Sequence, residues 1–131
     1  MTIRMRALRL PLLLAVLLLG AGCDRIAADF SLAWSIYREF DAPSVQISVN
    51  DRYLMVVFPS SPLADRPEVE RRAHALRVAE YVRDHYPRYG ALNDVSVAYF
   101  RDDHDPPGHQ ALVGRYTFTG ADLGMPAEDA Q

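Results

Sequence analysis

The chain has 131 residues, half of them hydrophobic, and carries 14 arginines and no lysine against 17 acidic residues, a formal charge of −3. This length supports one hydrophobic core and is most simply one domain, and the acidic balance speaks against nucleic acid, whose binding needs basic patches over phosphates. A single cysteine excludes an internal disulfide, so the fold rests on packing alone.

Arg4, Arg6 and Arg9 precede an apolar run from Leu10 to Leu19 that closes on Gly20, Ala21 and Gly22. A basic start, a short apolar core and small residues at the cut form the layout of a secretory signal peptide over residues 1–22. A membrane span takes about 20 apolar residues, whereas Leu10 to Gly22 as a helix covers roughly 20 Å of a ~30 Å hydrocarbon core. Cys23 follows at once. A thiol without a partner in an exported chain implies an intermolecular bond or a modification.

Gly20-Ala21-Gly22-Cys23 after a leucine run resembles the lipobox of bacterial lipoproteins, with Leu19 one place further out than is usual. The resemblance covers about the first twenty-five residues. It implies that the signal is removed before Cys23, that the thiol is diacylated, and that the new amino terminus is usually acylated too. Two or more acyl chains anchor a protein stably where one does not. Setting aside the three leader arginines leaves eleven basic residues against seventeen acidic ones. Attraction to anionic lipid is then weak, and the tether has to come from the acyl chains.

The mature domain is expected over residues 23–120, with a flexible tail over 121–131 rich in Gly, Pro, Asp and Glu. Ile26, Phe30, Ala33, Tyr37 and Phe40 recur at helical spacing and predict a helix over about 24–40, widened by Ala27 and Trp34 and ended by Asp41-Ala42-Pro43. That stripe is expected to face the core. The alternative is a helix lying in a membrane interface, which the mixed charges of Asp24, Asp29, Glu39, Arg25 and Arg38 favour less.

Val45, Ile47 and Val49 alternate with polar residues as a half-buried strand, Asn50-Asp51 makes a turn, and Arg52 to Phe58 reads as an interior strand. A loop over 59–66 leads to a second helix, with Asp65 as its cap, Glu68 completing a capping box and Pro67 in the first turn. Ala75, Ala79, Val82 and Tyr86 line its inner face, flanked by Leu76 and Val78, and Pro87 ends it near His85. Asp94 to Phe100 and Ala111 to Thr119 alternate as strands. Leu112, Tyr116 and Phe118 share a face in the second, and Gly114 interrupts it as a bulge or a close approach. The order helix, hairpin, helix, hairpin predicts an α+β fold, a four-stranded antiparallel sheet with the helices packed on one face.

Three groups of residues invite a chemical role. Asp102, Asp103, His104, Asp105 and His109 gather carboxylates and imidazoles suited to zinc, manganese or nickel, in a connection whose Asp, Pro and Gly also serve turns. His74 and His85 lie about 16 Å apart along their helix, too far to share an ion, and are expected on its solvated face beside Glu70, Arg77, Asp84 and Arg88. Tyr81 and Tyr89, with Trp34, are the candidates for contact with a protein partner.

No Gly-x-Ser-x-Gly elbow, Ser-x-x-Lys, phosphate loop or dinucleotide fingerprint occurs, and Ser60-Ser61 has no local base. The expectation is therefore a non-enzymatic, cofactor-free envelope protein, held to the membrane through Cys23 and binding or scaffolding an envelope protein partner. Two alternatives accompany it. One is a metal-binding module through residues 102–109. The other is a periplasmic enzyme inhibitor using loop 101–110 or 59–66 as its wedge.

Overall fold

Residues 26–124 are described by the computed structural model, so Cys23 and the leader lie outside the described residues, as do 125–131. Helix α1 covers 26–39. Strands β1 (Gln46–Asn50) and β2 (Tyr53–Phe58) follow, then a 3-10 turn, Pro62–Asp65, and helix α2 (Glu68–His85). After a second 3-10 turn, Tyr89–Ala91, come β3 (Asp94–Asp103), β4 (His109–Thr119) and a one-turn helix α3 (Gly120–Leu123). The domain is α+β, and its four strands lie in the order β1-β2-β3-β4.

The sheet is mixed, which corrects the expectation of antiparallel pairing throughout. β1 with β2 and β3 with β4 pair antiparallel, but β2 and β3 run parallel, from Tyr53 opposite Asp94 to Phe58 opposite Tyr99. The cause is the connection. α2 carries the chain back to the end from which β2 set out, so β3 departs in the same direction, as a helical crossover requires. Alternating side chains reveal which residues turn inward and say nothing of strand direction.

Leu54, Val56 and Phe58 of β2, Val95, Val97 and Tyr99 of β3, and Tyr116 of β4 form the inner face of the sheet. Ala75, Val78, Ala79, Val82 and Tyr86 of the second helix close over it, as do Leu32 and Ile36 of α1. Burying a side chain such as Leu32 or Ile36 contributes about 1.5–3 kcal/mol, which fixes α1 to the body of the domain. On the opposite face of the sheet Gln46, Ser48, Arg115 and Thr117 are exposed, while the small Ser96 and Ala98 of β3 are buried between their neighbours.

Several local expectations are revised. Asp65 does not cap α2, whose N-cap is Pro67 without a side-chain hydrogen bond; it ends the 3-10 turn and pairs with Arg101 at 3.1 Å. The connection after β3 is five residues, 104–108, rather than ten, because both strands extend into it. At Gly114 the two alternatives merge. The register slips beside its partner Tyr99, and an added Cβ would stand 2.9 Å from the Tyr116 hydroxyl. That slip turns Leu112 out to solvent, off the face it was expected to share with Tyr116 and Phe118. Residues 121–124, expected within a flexible tail, are instead packed on the domain. Thr119 and Asp122 form a capping box for α3, and Leu123 is buried.

Candidate functional site

α1 presents two apolar stripes, and the structure buries the smaller one. Leu32 and Ile36 face the core and Phe40 packs against it. Ile26, Phe30, Trp34 and Tyr37 are 72, 73, 56 and 42% exposed, which overturns their assignment to the core. Spacings of four, four and three place these four on one side of the helix. Trp34 stacks on Tyr37 with centroids 5.6 Å apart. Both line a cleft of about 240 Å³ with Phe30, Ala33, Pro43, Ser44 and Val45, so the exposed apolar surface continues from the helix onto the approach to β1. Asp29, by contrast, turns inward and accepts a hydrogen bond from the buried Tyr86 hydroxyl at 3.2 Å.

The carboxyl ends of β2 and β3 make a second, polar surface. Loops 59–66 and 101–110, far apart in the chain, lie side by side there. Ser60, held at φ +50°, donates its hydroxyl to Asp102 at 2.6 Å, and its amide donates to the Gln110 side chain at 3.0 Å. Gln110 also donates to Asp102. The Ser60 and Gln110 donors hold the Asp102 carboxyl below the usual carboxylate range. A carboxylate so stabilised is a poor base, and the contact does not activate Ser60 as a nucleophile.

Of the ligand-type residues predicted here, Asp103 pairs with His109 at 3.4 Å across the β3–β4 ladder, while His104 and Asp105 stand exposed in the loop. Among the described residues, no three His, Cys, Asp or Glu side chains gather to hold an ion.

The third feature escaped sequence reading. His74 is not on a solvated face. Its Nδ1 lies 2.5 Å from the Tyr99 hydroxyl, and its ring meets Phe40, Phe58 and Tyr99 edge-on at 5.4–5.6 Å. Burial, aided by the nearby Arg77 charge, pushes its pKa down to about 4. Burial likewise pushes Tyr99 up, so the phenol keeps its proton and donates to a neutral imidazole that carries hydrogen on Nε2. An apolar cleft of about 260 Å³, lined by Phe40, Pro43, Phe58, Leu63, Arg66 and His74 among others, opens beside it.

The expected partner-binding tyrosines are less free than Trp34. Tyr81 is half-buried, edge-on to Phe40 and stacked on His85 at 3.9 Å. Tyr89 is half-buried with its hydroxyl donating to the Gly124 carbonyl at 3.4 Å, and burial raises its pKa. The parallel β2–α2–β3 unit with an antiparallel strand on each side and an aromatic outer helix defines an α+β class. No family model, curated protein or solved structure matches the chain.

Proposed function

We propose that the chain is a lipid-anchored protein of the bacterial cell envelope, acylated at Cys23, whose domain stands outside the cytoplasmic membrane as a binding or scaffolding accessory. The observation that carries this reading is the placement of the chain's one cysteine, directly after Gly20-Ala21-Gly22 and a leucine run. The domain then starts almost at once, since α1 is already formed at Ile26. Among the described residues no helix is long and apolar enough to cross a membrane. Mass spectrometry of the N-terminal peptide from the membrane fraction tests it. A peptide starting at Cys23 with two or three acyl chains is expected; an unmodified Cys23, or a persisting Met1 leader, overturns it.

One observation favours a second reading, an inhibitor that enters a target's cleft. Its two candidate wedges are one continuous edge, joined through Ser60 with Asp102 and Asp65 with Arg101. A single projecting edge stiffened by hydrogen bonds is what such a wedge needs, because little order is lost on binding. If a chain lacking both loops still captured its envelope partner, this reading would be finished.

A further inference from the structure

The outer side of α1 is a large apolar surface that packing within the domain leaves unexplained. Four large apolar side chains at helical spacing stand in solvent, on a helix whose other side already anchors the core through Leu32 and Ile36. Contiguous exposed apolar surface of this kind marks an interaction site.

We propose that the exposed face of α1, formed by Ile26, Phe30, Trp34 and Tyr37, seats in the interfacial layer of a phospholipid membrane and fixes the orientation of the domain there; the proposal rests on acylation of Cys23. Three observations select lipid over a protein occupant. The first is reach. Ile26 is three positions after Cys23, and even fully extended those three steps span about 10 Å. A helix in the interface lies about 5–10 Å into the headgroup and acyl boundary. Acyl chains on Cys23 therefore bring the first turn of α1 to the membrane surface whatever else the domain does.

The second is composition. Trp and Tyr, with an apolar ring and one polar group, are the residues enriched at the membrane–water boundary. Here both occur on the exposed side with Phe30 and Ile26.

The third is charge, which the sequence suggested was unfavourable. Asp29, the carboxylate in the first turn of the helix, is turned inward to Tyr86. Glu39, five residues past Trp34, falls roughly 140° around the helix from it. The charged residue bordering the apolar face is Arg38, one turn beyond Trp34, and its stem can lie along the boundary with its head in water.

Trp34 is the only tryptophan, so its fluorescence reports this face alone. The full chain, purified from membranes and reconstituted into phosphatidylcholine vesicles, is first checked by flotation. The expected result is that Trp34 in the floating protein is shielded from iodide, and loses emission to lipids brominated near the glycerol end of the acyl chain more than to those brominated at its tip.

A Phe30→Asp variant, altered at a side chain outside the core, should float equally and lose both effects. Floating protein whose Trp34 stays open to iodide and unquenched by brominated lipid overturns the seating while sparing the anchor. Shielding from iodide without quenching by brominated lipid also overturns it, because the cover is then a second copy or another protein. Protein that neither floats nor carries acyl chains overturns the anchor, and this proposal with it.

Discussion

His74 shows how much a single residue's surroundings decide. Its imidazole is kept neutral by burial and by Arg77, with a pKa lowered from 6.5 to about 4. Between those values the unfolded chain binds a proton that the folded chain refuses. Stability is therefore complete above about pH 6.5, falls as pH drops toward 4, and levels off below that. After a discount for partial solvent screening, the loss at low pH is about 1–2 kcal/mol. His74→Gln leaves a side-chain carbonyl to accept from Tyr99 and removes the titration. Urea midpoints at pH 7 and 4.5 should differ clearly in the natural chain and much less in the variant. An equal drop in both would place the acid sensitivity elsewhere.

At the scale of one element, α1 carries the main lesson. Leu32, Ile36 and Phe40 lie four apart, as do Ile26, Phe30 and Trp34, and both stripes are helical. Counting apolar residues selects the larger, aromatic stripe for the core, and the structure places it outside. Periodicity identifies an amphipathic helix with ease but cannot rank two apolar faces when one serves a second surface.

Substitution separates the two faces. Ile36→Ala removes a fully buried side chain and should cost about 2–5 kcal/mol, whereas Phe30→Ala should stay within about 0.5 kcal/mol. Denaturant unfolding of both variants in detergent decides it; equal losses would return Phe30 to the core.

The strands were legible element by element: β1 and β3 alternate apolar with small or polar residues, and β2 is a continuous apolar run fit for an interior strand. The polar site was not. Ser60 and Asp102 are 42 residues apart and meet only because β2 and β3 run parallel and end at the same edge. Without that direction, loops 59–66 and 101–110 appear as two features rather than one.

Across the whole molecule, α1 spans between the two ends of the sheet. Near its start Asp29 shares a cleft with Val49 and Asp51 at the β1–β2 turn, and just past its end Phe40 and Pro43 meet Pro62 and Leu63. An anchor at Cys23, as proposed above, would therefore attach at the end opposite the Ser60–Asp102 edge. With the helices on one face, the sheet residues Ser48, Arg115 and Thr117 and the loop edge remain exposed on the other sides.

Introduced cysteines can read this orientation, since the proposed acylation of Cys23 would occupy the one natural thiol. On vesicles, Ala27→Cys on the exposed side of α1 should react slowly with a membrane-impermeant maleimide. His104→Cys in the β3–β4 loop and Arg115→Cys on the open sheet face should react as fast as in urea-unfolded protein. Rapid labelling at 27 with protection at 104 would mean that the domain rests on its loop edge. The wedge and the lipid-facing helix would then have exchanged roles.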